Sequence, residues 1–177
     1  MSFLYTLVSM KILPVCVAIL LTLNAAAQRK EPVKLADNYT IITYSPTLPE
    51  LKQVYANAKP KPNGLTKTET DEIDRLLRQS VEEYNQKQEE EFAKWKELDS
   101  TLKKEDFMIN LSEYKRQYVP VITETNEAEV WVNAICYWAG ERWRKEIIRV
   151  DDGGKCYFNV KINLSKKAYN NMTVNAQ

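Results

Sequence analysis

The chain has 177 residues, and its 44% of apolar and 28% of charged residues are typical of one globular domain with an export signal. Lysine and arginine number 25 against 24 aspartate and glutamate residues, so no net charge attracts nucleic acid or an anionic membrane. The chain contains no histidine. This excludes Ser-His-Asp and Cys-His nucleophile pairs, histidine general bases and histidine-ligated zinc.

Residues 1–27 have the pattern of a signal peptide. A lysine precedes an apolar run over residues 12–23, and the small residues 25–27 provide a cleavage site. Met10 is an alternative start, which the sequence leaves open. A membrane anchor is disfavoured because Pro14 interrupts the apolar run. We therefore expect a secreted or periplasmic protein with no stable membrane anchor after signal cleavage.

Residues 28–64 form a leader segment with little periodicity, ahead of a single α+β domain over residues 65–177. Within the leader, residues 39–44 suggest a short strand and residues 49–58 a short helix with proline in its first turn. The sequence Lys-Pro-Lys-Pro-Asn-Gly over residues 59–64 then indicates a break in secondary structure.

A long helix is predicted to begin at Thr66. Glu69 follows three residues later, which is the spacing of a capping box. Steps of three and four place one set of apolar residues on a single helix face: Ile73, Leu76, Leu77, Val81, Tyr84, Phe92, Trp95 and Leu98. Residues 86–91 are almost wholly polar, so this part either projects beyond its packing partner or forms a hinge. A coiled coil is disfavoured because the apolar stripe lapses at Gln88.

The last third of the chain predicts four strands. Residues 114–123 form the first, in which Pro120 lacks a backbone donor and indicates an edge strand or a bulge. Residues 129–138 and 155–164 alternate between two faces and form two others, and residues 143–150 are expected to return between them as a further strand. The predicted fold class is therefore α+β, with one long N-terminal helix packed on a four-stranded antiparallel meander sheet.

The sequence Asp151-Asp152-Gly153-Gly154 separates the last two predicted strands. Glycine accepts a positive φ, and Asp-Gly is a strong hairpin signal. A three-residue loop over residues 152–154 would pair Val150 with Cys156 and Ile148 with Phe158, apolar against apolar. We therefore predict a turn here and not a calcium site, because no cluster of further oxygen ligands lies nearby.

Signal cleavage leaves two cysteines, Cys136 and Cys156, both on the predicted core face. An exported chain favours a disulfide between them. The meander disfavours it, because two strand spacings separate the thiols by roughly 9.5 Å, whereas a bridge needs Cα atoms within about 7 Å. Whether they form a disulfide or remain two buried thiols stays open at this point.

The outward face of the predicted sheet is rich in aromatic rings and amides. Rings supply apolar contact area, and amide or guanidinium groups fix the orientation of a bound sugar, peptide or protein. The candidate ligand-binding residues are Trp131, Asn133, Tyr137, Trp143, Arg149, Tyr157 and Asn159. The alternative is that the leader, which has apolar residues of its own, covers this face.

The sequence assigns no catalytic residue, metal ligand or cofactor, because its acid pairs lie on predicted helix surfaces and it has no phosphate-binding loop. The leading hypothesis is an exported non-enzymatic protein that binds a partner protein or a glycan. One alternative is a small hydrolase or isomerase with a carboxylate or tyrosine site between helix and sheet. Another is a structural component of the cell envelope.

Three segments of the C-terminal half, YKRQYVPVI, VWVN and DDGGKCYFNVKINL, resemble small uncharacterised exported proteins of Bacteroidota. The resemblance implies a Gram-negative envelope or secreted location and no particular activity. The order of one long helix and then antiparallel strands is also similar to cystatin-like and nuclear-transport-factor-like architectures. Those folds host inhibitors, binding modules and enzymes alike.

Overall fold

The computed structural model describes residues 38–136, 140–170 and 172–175. The predicted signal peptide and Met10 lie outside these residues, as does Tyr137 of the candidate site. The helices are α1 (Pro49–Lys52) and α2 (Lys67–Leu98); the strands are β1 (Tyr39–Ile41), β2 (Lys59–Pro60), β3 (Lys115–Ile122), β4 (Ala128–Ile135), β5 (Tyr157–Asn163), β6 (Ala168–Tyr169) and β7 (Thr173–Val174). Within these ranges, no helix is both long enough and apolar enough to cross a membrane.

All seven described strands belong to one mixed sheet. Its order is β1-β3-β4-β5-β6, with β2 also beside β3 and β7 also beside β5. Strand β1 runs parallel to β3, and the other neighbours are antiparallel. The connection permits the parallel pair, because parallel neighbours need a long crossover and α2 lies between these strands in the chain. The prediction of a four-stranded antiparallel meander is therefore wrong.

The predicted third strand, residues 143–150, does not form. After β4 the chain leaves the sheet, makes a 3-10 turn at Arg142–Arg144 and continues irregularly to a second 3-10 turn at Gly154–Cys156. We call residues 140–156 the β4–β5 loop. Strand β5 pairs directly with β4, with Phe158 opposite Ala134, so the hairpin register that paired Phe158 with Ile148 is also wrong. The apolar residues of the loop pack onto the sheet, so they are buried without forming a hydrogen-bonded strand.

Cys136 and Cys156 form a disulfide at the base of the β4–β5 loop. Their Cα atoms are 4.7 Å apart, and the backbone N–H of Cys136 donates to the carbonyl of Cys156 at 2.9 Å. The argument for two separate thiols assumed an intervening strand. Because β4 and β5 are neighbours, that argument fails and the bridge forms at the point where the two strands separate.

Helix α2 begins as predicted and covers one face of the sheet. Thr66 accepts a hydrogen bond from the backbone of Glu69 at 3.2 Å, and the Glu69 carboxylate accepts one from the backbone of Thr66 at 2.8 Å. The buried stripe of the helix packs on alternate residues of the strands, which the sequence placed on the inner face: Val130, Val132, Ala134, Phe158, Val160 and Ile162. The predicted inner faces of β4 and β5 are therefore confirmed, although β4 is buried on both faces and only β5 alternates in burial.

An ion pair ties α2 to β3 at one side of this core. The Asp74 carboxylate accepts hydrogen bonds from Arg116 Nη1 at 3.1 Å and from the Tyr118 hydroxyl at 3.0 Å. Arg116 is fully buried. Burial, and then the neighbouring Asp74 carboxylate, raises the pKa of Tyr118 against the opposing effect of Arg116. The acid and the phenol between helix and sheet are thus engaged with each other and with Arg116.

The distal part of α2 continues without a hinge but leaves the core. Burial on the helix ends at Val81, whereas Trp95 is 52% and Leu98 is 79% exposed. The chain then folds back along the helix, and Asn85 fixes this return by donating to the carbonyl of Ile109 at 2.9 Å and accepting from its N–H at 2.8 Å. The polar stretch therefore belongs to the part of the helix that projects past the sheet.

Pro120 has no backbone N–H, and it lies at a position of β3 where the neighbouring strands do not require one. The carbonyl of Tyr118 accepts from Ile42, after β1, and the carbonyl of Pro120 accepts from Lys61, after β2. Backbone groups of alternate residues point to the same side of a strand, so the Pro120 nitrogen faces the side shared by these two short strands. Pro120 thus lies where one short neighbour has ended and the other has not yet begun to pair.

Candidate ligand-binding cleft

A row of polar side chains crosses the sheet on the face opposite α2. The register places Gln117 beside Asn133, Asn133 beside Asn159, and Asn159 beside Thr173. Directly opposed residues share a face, so these four side chains, here called the polar row, lie side by side across β3, β4, β5 and β7. Gln117 is fully buried and Asn133 is nearly so, whereas Asn159 is half-buried and Thr173 exposed. The row has a buried end and an open end.

The buried end of the polar row holds the β4–β5 loop on the sheet. Gln117 Nε2 donates to the carbonyls of Trp143 at 2.5 Å and Glu146 at 2.6 Å, and its Oε1 accepts from the N–H of Ile148 at 2.9 Å. Asn133 Nδ2 donates to Gln117 Oε1 at 3.0 Å and to the carbonyl of Ile148 at 2.7 Å. Two side-chain amides thereby satisfy backbone groups that a strand ladder would otherwise have paired.

The leader covers the neighbouring part of the same face. Tyr44, Leu51 and Tyr55 are buried and pack against Val119, Val121 and Trp131. Lys161 secures the leader by donating to the carbonyl of Val54 at 3.2 Å. Burial, followed by the charge of Glu129, raises the pKa of Tyr55. The alternative that the leader packs on this face therefore holds around Trp131, which is 6% exposed.

A cleft of about 420 Å³ remains between the loop, the end of α1 and β7. We call it the polar cleft. Five of the seven candidate residues line it: Trp131, Asn133, Arg149, Tyr157 and Asn159. The sequence missed its contributions from the leader and the C-terminal tail, which include Glu50, Gln53, Thr173, Val174 and Asn175. Those residues come from elements distant in sequence, and no pattern in the chain links them to the sheet face.

Trp143, the remaining described candidate, lies outside the polar cleft. It is 1% exposed and packs with Ile135 and Ile148. The guanidinium of Arg144 lies 4.4 Å and the ammonium of Lys115 lies 5.3 Å from its ring centroid. The 3-10 turn at Arg142–Arg144 accounts for the difference, because a strand would have displayed this ring on the outward face. Trp143 instead anchors the β4–β5 loop.

The polar cleft offers a ligand mainly uncharged groups, together with the carboxylate of Glu50. The side chains of Gln53 and Asn159 make no hydrogen bond to another described residue, and neither does the indole N–H of Trp131. The charges at the rim are largely paired, because Arg149 Nε lies 3.0 Å from Asp151 Oδ1. Asn175 is occupied, since its amide donates to the carbonyl of Val150. The cleft therefore offers an indole edge and two free amides.

The turn predicted at Asp151–Gly154 shapes one wall of this cleft. Gly153 has φ +145°, and a Cβ there would lie 2.4 Å from Cδ2 of Tyr157. Only glycine lets the Tyr157 ring lie this close to the turn. Residues 151–152 make a bend that leads into the 3-10 turn at Gly154–Cys156, so the predicted hairpin does not form. Among the described residues, no group of three or more acidic or cysteine side chains is arranged to hold a metal ion.

Comparisons with known proteins found no family model, no curated protein and no solved structure that matches this chain. Any function is therefore argued from the chemistry of the cleft. Gln117, which positions one wall, was also missed by the sequence interpretation. A weak signal was present, because Gln117 shares the face of Val119 and Val121 and is the polar member of that apolar set.

Proposed function

We propose that the protein is an exported, non-enzymatic binding protein whose polar cleft takes a neutral glycan. The observation that supports this proposal is the combination of an indole, a tyrosine ring and two free amides in a cleft with few unpaired charges. Sugar rings present apolar C–H faces and hydroxyl groups, which match aromatic rings and amides respectively. The volume of about 420 Å³ lies within the range of small-ligand sites.

Some residues of the polar cleft can contact the ligand, and others hold the walls of the cleft in position. Asn159 and Gln53 each carry both a donor and an acceptor, so each can engage two hydroxyls of one sugar. Trp131 lines the cleft, and its indole N–H makes no hydrogen bond to another described residue. Asn133 is a positioning residue, because both hydrogens of its amide hold the loop and Gln117.

A glycan suits the cleft better than a protein partner does. Protein interfaces are built around exposed aromatic or aliphatic anchors and bury about 800 Å² on each side. The large hydrophobic side chains that are exposed in the described ranges are Ile41, Trp95 and Leu98, and none of them lines the polar cleft. The cleft thus lacks the anchors of a protein interface.

The proposed location is the periplasm or the cell exterior. The predicted signal peptide supports export, and the disulfide is of the kind that persists in oxidising compartments. No catalytic step is assigned to the polar cleft, because its acids are the rim residues Glu50 and Asp151 and Asp151 is paired with Arg149.

A titration with neutral oligosaccharides tests the proposal. We expect oligomers of glucose, mannose, galactose or N-acetylglucosamine to shift the Trp131 indole N–H resonance of the mature protein. The substitution Asn159→Ala should weaken this binding about tenfold, because a buried hydrogen bond to the ligand is lost. Trp131 itself is not substituted, because the leader packs on it.

The matched control is Asn170→Ala, an exposed amide that does not line the polar cleft. It should bind like the wild type. The proposal is overturned if no neutral oligosaccharide shifts the Trp131 resonance, or if the two asparagine variants bind equally well.

A further inference from the structure

The stripe that α2 buries in the core continues into a second cleft. Tyr84, Gln88, Glu91 and Trp95 follow each other in steps of four, three and four, so they share one helix face. All four line a cleft of about 450 Å³ at the projecting end of the helix. We call it the tip cleft. The lapse of the apolar stripe at Gln88 therefore coincides with the point where this face passes from core to cavity.

The returning chain supplies the opposite wall of the tip cleft. Leu102, Asp106 and Phe107 line it, and Phe107 is held by an edge contact with Phe92 at 5.3 Å between ring centroids. The cleft thus collects three aromatic side chains, those of Tyr84, Trp95 and Phe107. Trp95 remains 52% exposed, although an indole of this size normally finds a packing partner in a folded domain.

The lining of the tip cleft carries two carboxylates and one ammonium, and Lys96 donates to the carbonyl of the lining residue Leu102 at 2.6 Å. Glu91 and Asp106 contribute two carboxylates to its lining. The one lysine of the lining, Lys155, donates to the backbone carbonyls of Glu105 and Met108, which holds its ammonium against the returning chain. Glu91 is paired with Lys94 at 2.7 Å in an exposed position, whereas Asp106 has no ion pair with any described residue.

We propose that the tip cleft binds a small organic ammonium cation, and that a quaternary trimethylammonium group fits it best. The faces of aromatic rings attract cations, and this attraction is strongest for tryptophan. A quaternary ammonium needs no hydrogen-bond acceptors, so rings with nearby carboxylates satisfy it fully. The proposal is independent of the polar cleft and of its glycan.

Choline is the probe for a direct test. We expect choline chloride, titrated at constant ionic strength into the mature protein, to shift the Trp95 indole resonance. The neutral isostere 3,3-dimethylbutanol has the same shape without the charge, and it should cause a much smaller shift. Trp95→Leu should weaken choline binding about tenfold, as read from the remaining resonances of the cleft. Leu98→Ala, an exposed apolar residue that does not line the cleft, should leave binding unchanged.

Vesicles distinguish a soluble cation from a lipid headgroup. Phosphatidylcholine vesicles carry the same trimethylammonium group, and phosphatidylglycerol vesicles lack it. A response to free choline, or to phosphatidylcholine alone among the vesicles, supports the cation site. Equal responses to choline and its neutral isostere, equal responses to both vesicles, or no response at all overturn it. The Trp131 resonance reports on the polar cleft, so failure at one site is distinguishable from failure at the other.

Discussion

The two faces of the sheet are covered by different means. One helix covers the first face through an apolar stripe, with Ile73, Leu76 and Leu77 buried against alternate strand residues. The second face is covered in patches by the leader and the β4–β5 loop, and hydrogen bonds from Gln117 and Asn133 to the loop backbone hold the loop in place. The first face is an apolar core with one ion pair at its side, between Arg116 and Asp74, whereas the second leaves open the polar cleft.

The difference shows where a binding site arises in a small domain. Apolar side chains between a helix and a sheet pack densely and leave few voids that could hold a water molecule. A covering that is fixed by discrete polar contacts and a disulfide leaves gaps between its patches, and polar groups of the sheet reach solvent there. The four predictions that follow test whether the two coverings differ in strength as well as in kind.

The largest effect is expected on the helix face. Leu77 is fully buried, so Leu77→Ala should lower the free energy of unfolding by about 2–5 kcal/mol through lost packing and a cavity. Urea denaturation of the mature protein measures this. Leu98→Ala is the control on the same helix, and it should change stability by less than about 0.5 kcal/mol because Leu98 is 79% exposed. Equal losses in the two variants would contradict the assignment of the core.

The disulfide should provide the next largest contribution. Replacing Cys136 and Cys156 together by serine should cost about 3 kcal/mol, since the bridge closes a loop with a sequence separation of 20. Hydrogen exchange should accelerate first at the N–H of Ile148, and later in α2. A wild-type protein whose urea midpoint is the same with and without reductant would show that the bridge contributes nothing.

Gln117 tests the polar attachment of the loop. Gln117→Leu should cost about 2 kcal/mol, because it leaves the N–H of Ile148 and the carbonyls of Trp143 and Glu146 without their partner. It should also shift the Trp131 indole resonance, since the loop forms a wall of the polar cleft. Gln79→Leu on the exposed side of α2 is the control. If the Trp131 resonance does not shift in Gln117→Leu, the attachment of the loop by Gln117 does not determine the shape of the polar cleft.

The smallest effect concerns the start of α2 and depends on pH. Burial acts to raise the pKa of Glu69, but hydrogen bonds from Thr66 and Lys61 outweigh it and lower that pKa below its ordinary value of 4.5. The stabilisation is therefore present above the unfolded-state pKa and is lost as pH falls through the folded-state pKa. Glu69→Gln should be less stable than the wild type by less than about 1 kcal/mol at pH 7, because glutamine keeps the capping-box geometry but lacks the charge, and the difference should vanish in acid.

Thermal unfolding of both proteins from neutral to acid pH measures this dependence. Glu97→Gln, at the exposed distal end of α2, serves as the control because no capping interaction involves it. A constant difference between Glu69→Gln and the wild type across this range would mean that the charge of Glu69 is not what stabilises the helix start.

Sequence patterns predicted the first face better than the second. The capping box at Thr66 and the alternation of β5 are local signals, and the structure forms the first and buries alternate residues of the second. The β4–β5 loop could not be predicted in the same way. Its apolar residues Trp143 and Ile148 favoured a strand, but backbone groups of both residues are satisfied by Gln117, a residue from another part of the chain.

The candidate site divides along the same line. Trp131, Asn133, Tyr157 and Asn159 were found because strand parity places them on one face. Gln53 and Thr173 were missed, since their position depends on how the leader and the tail return to the sheet. The parallel pairing of β1 also escaped prediction, because a strand of three residues carries too little periodicity to specify a partner.

Strand β7 stands between the two clefts, since Val174 and Asn175 contribute to the lining of both. This partition is only two residues long, and it is secured to β5 by pairing at Phe158 and Asn159. A ligand that displaces β7 from one cleft changes the volume of the other cleft. Thermodynamic linkage then requires that each occupant alter the affinity of the other by the same factor.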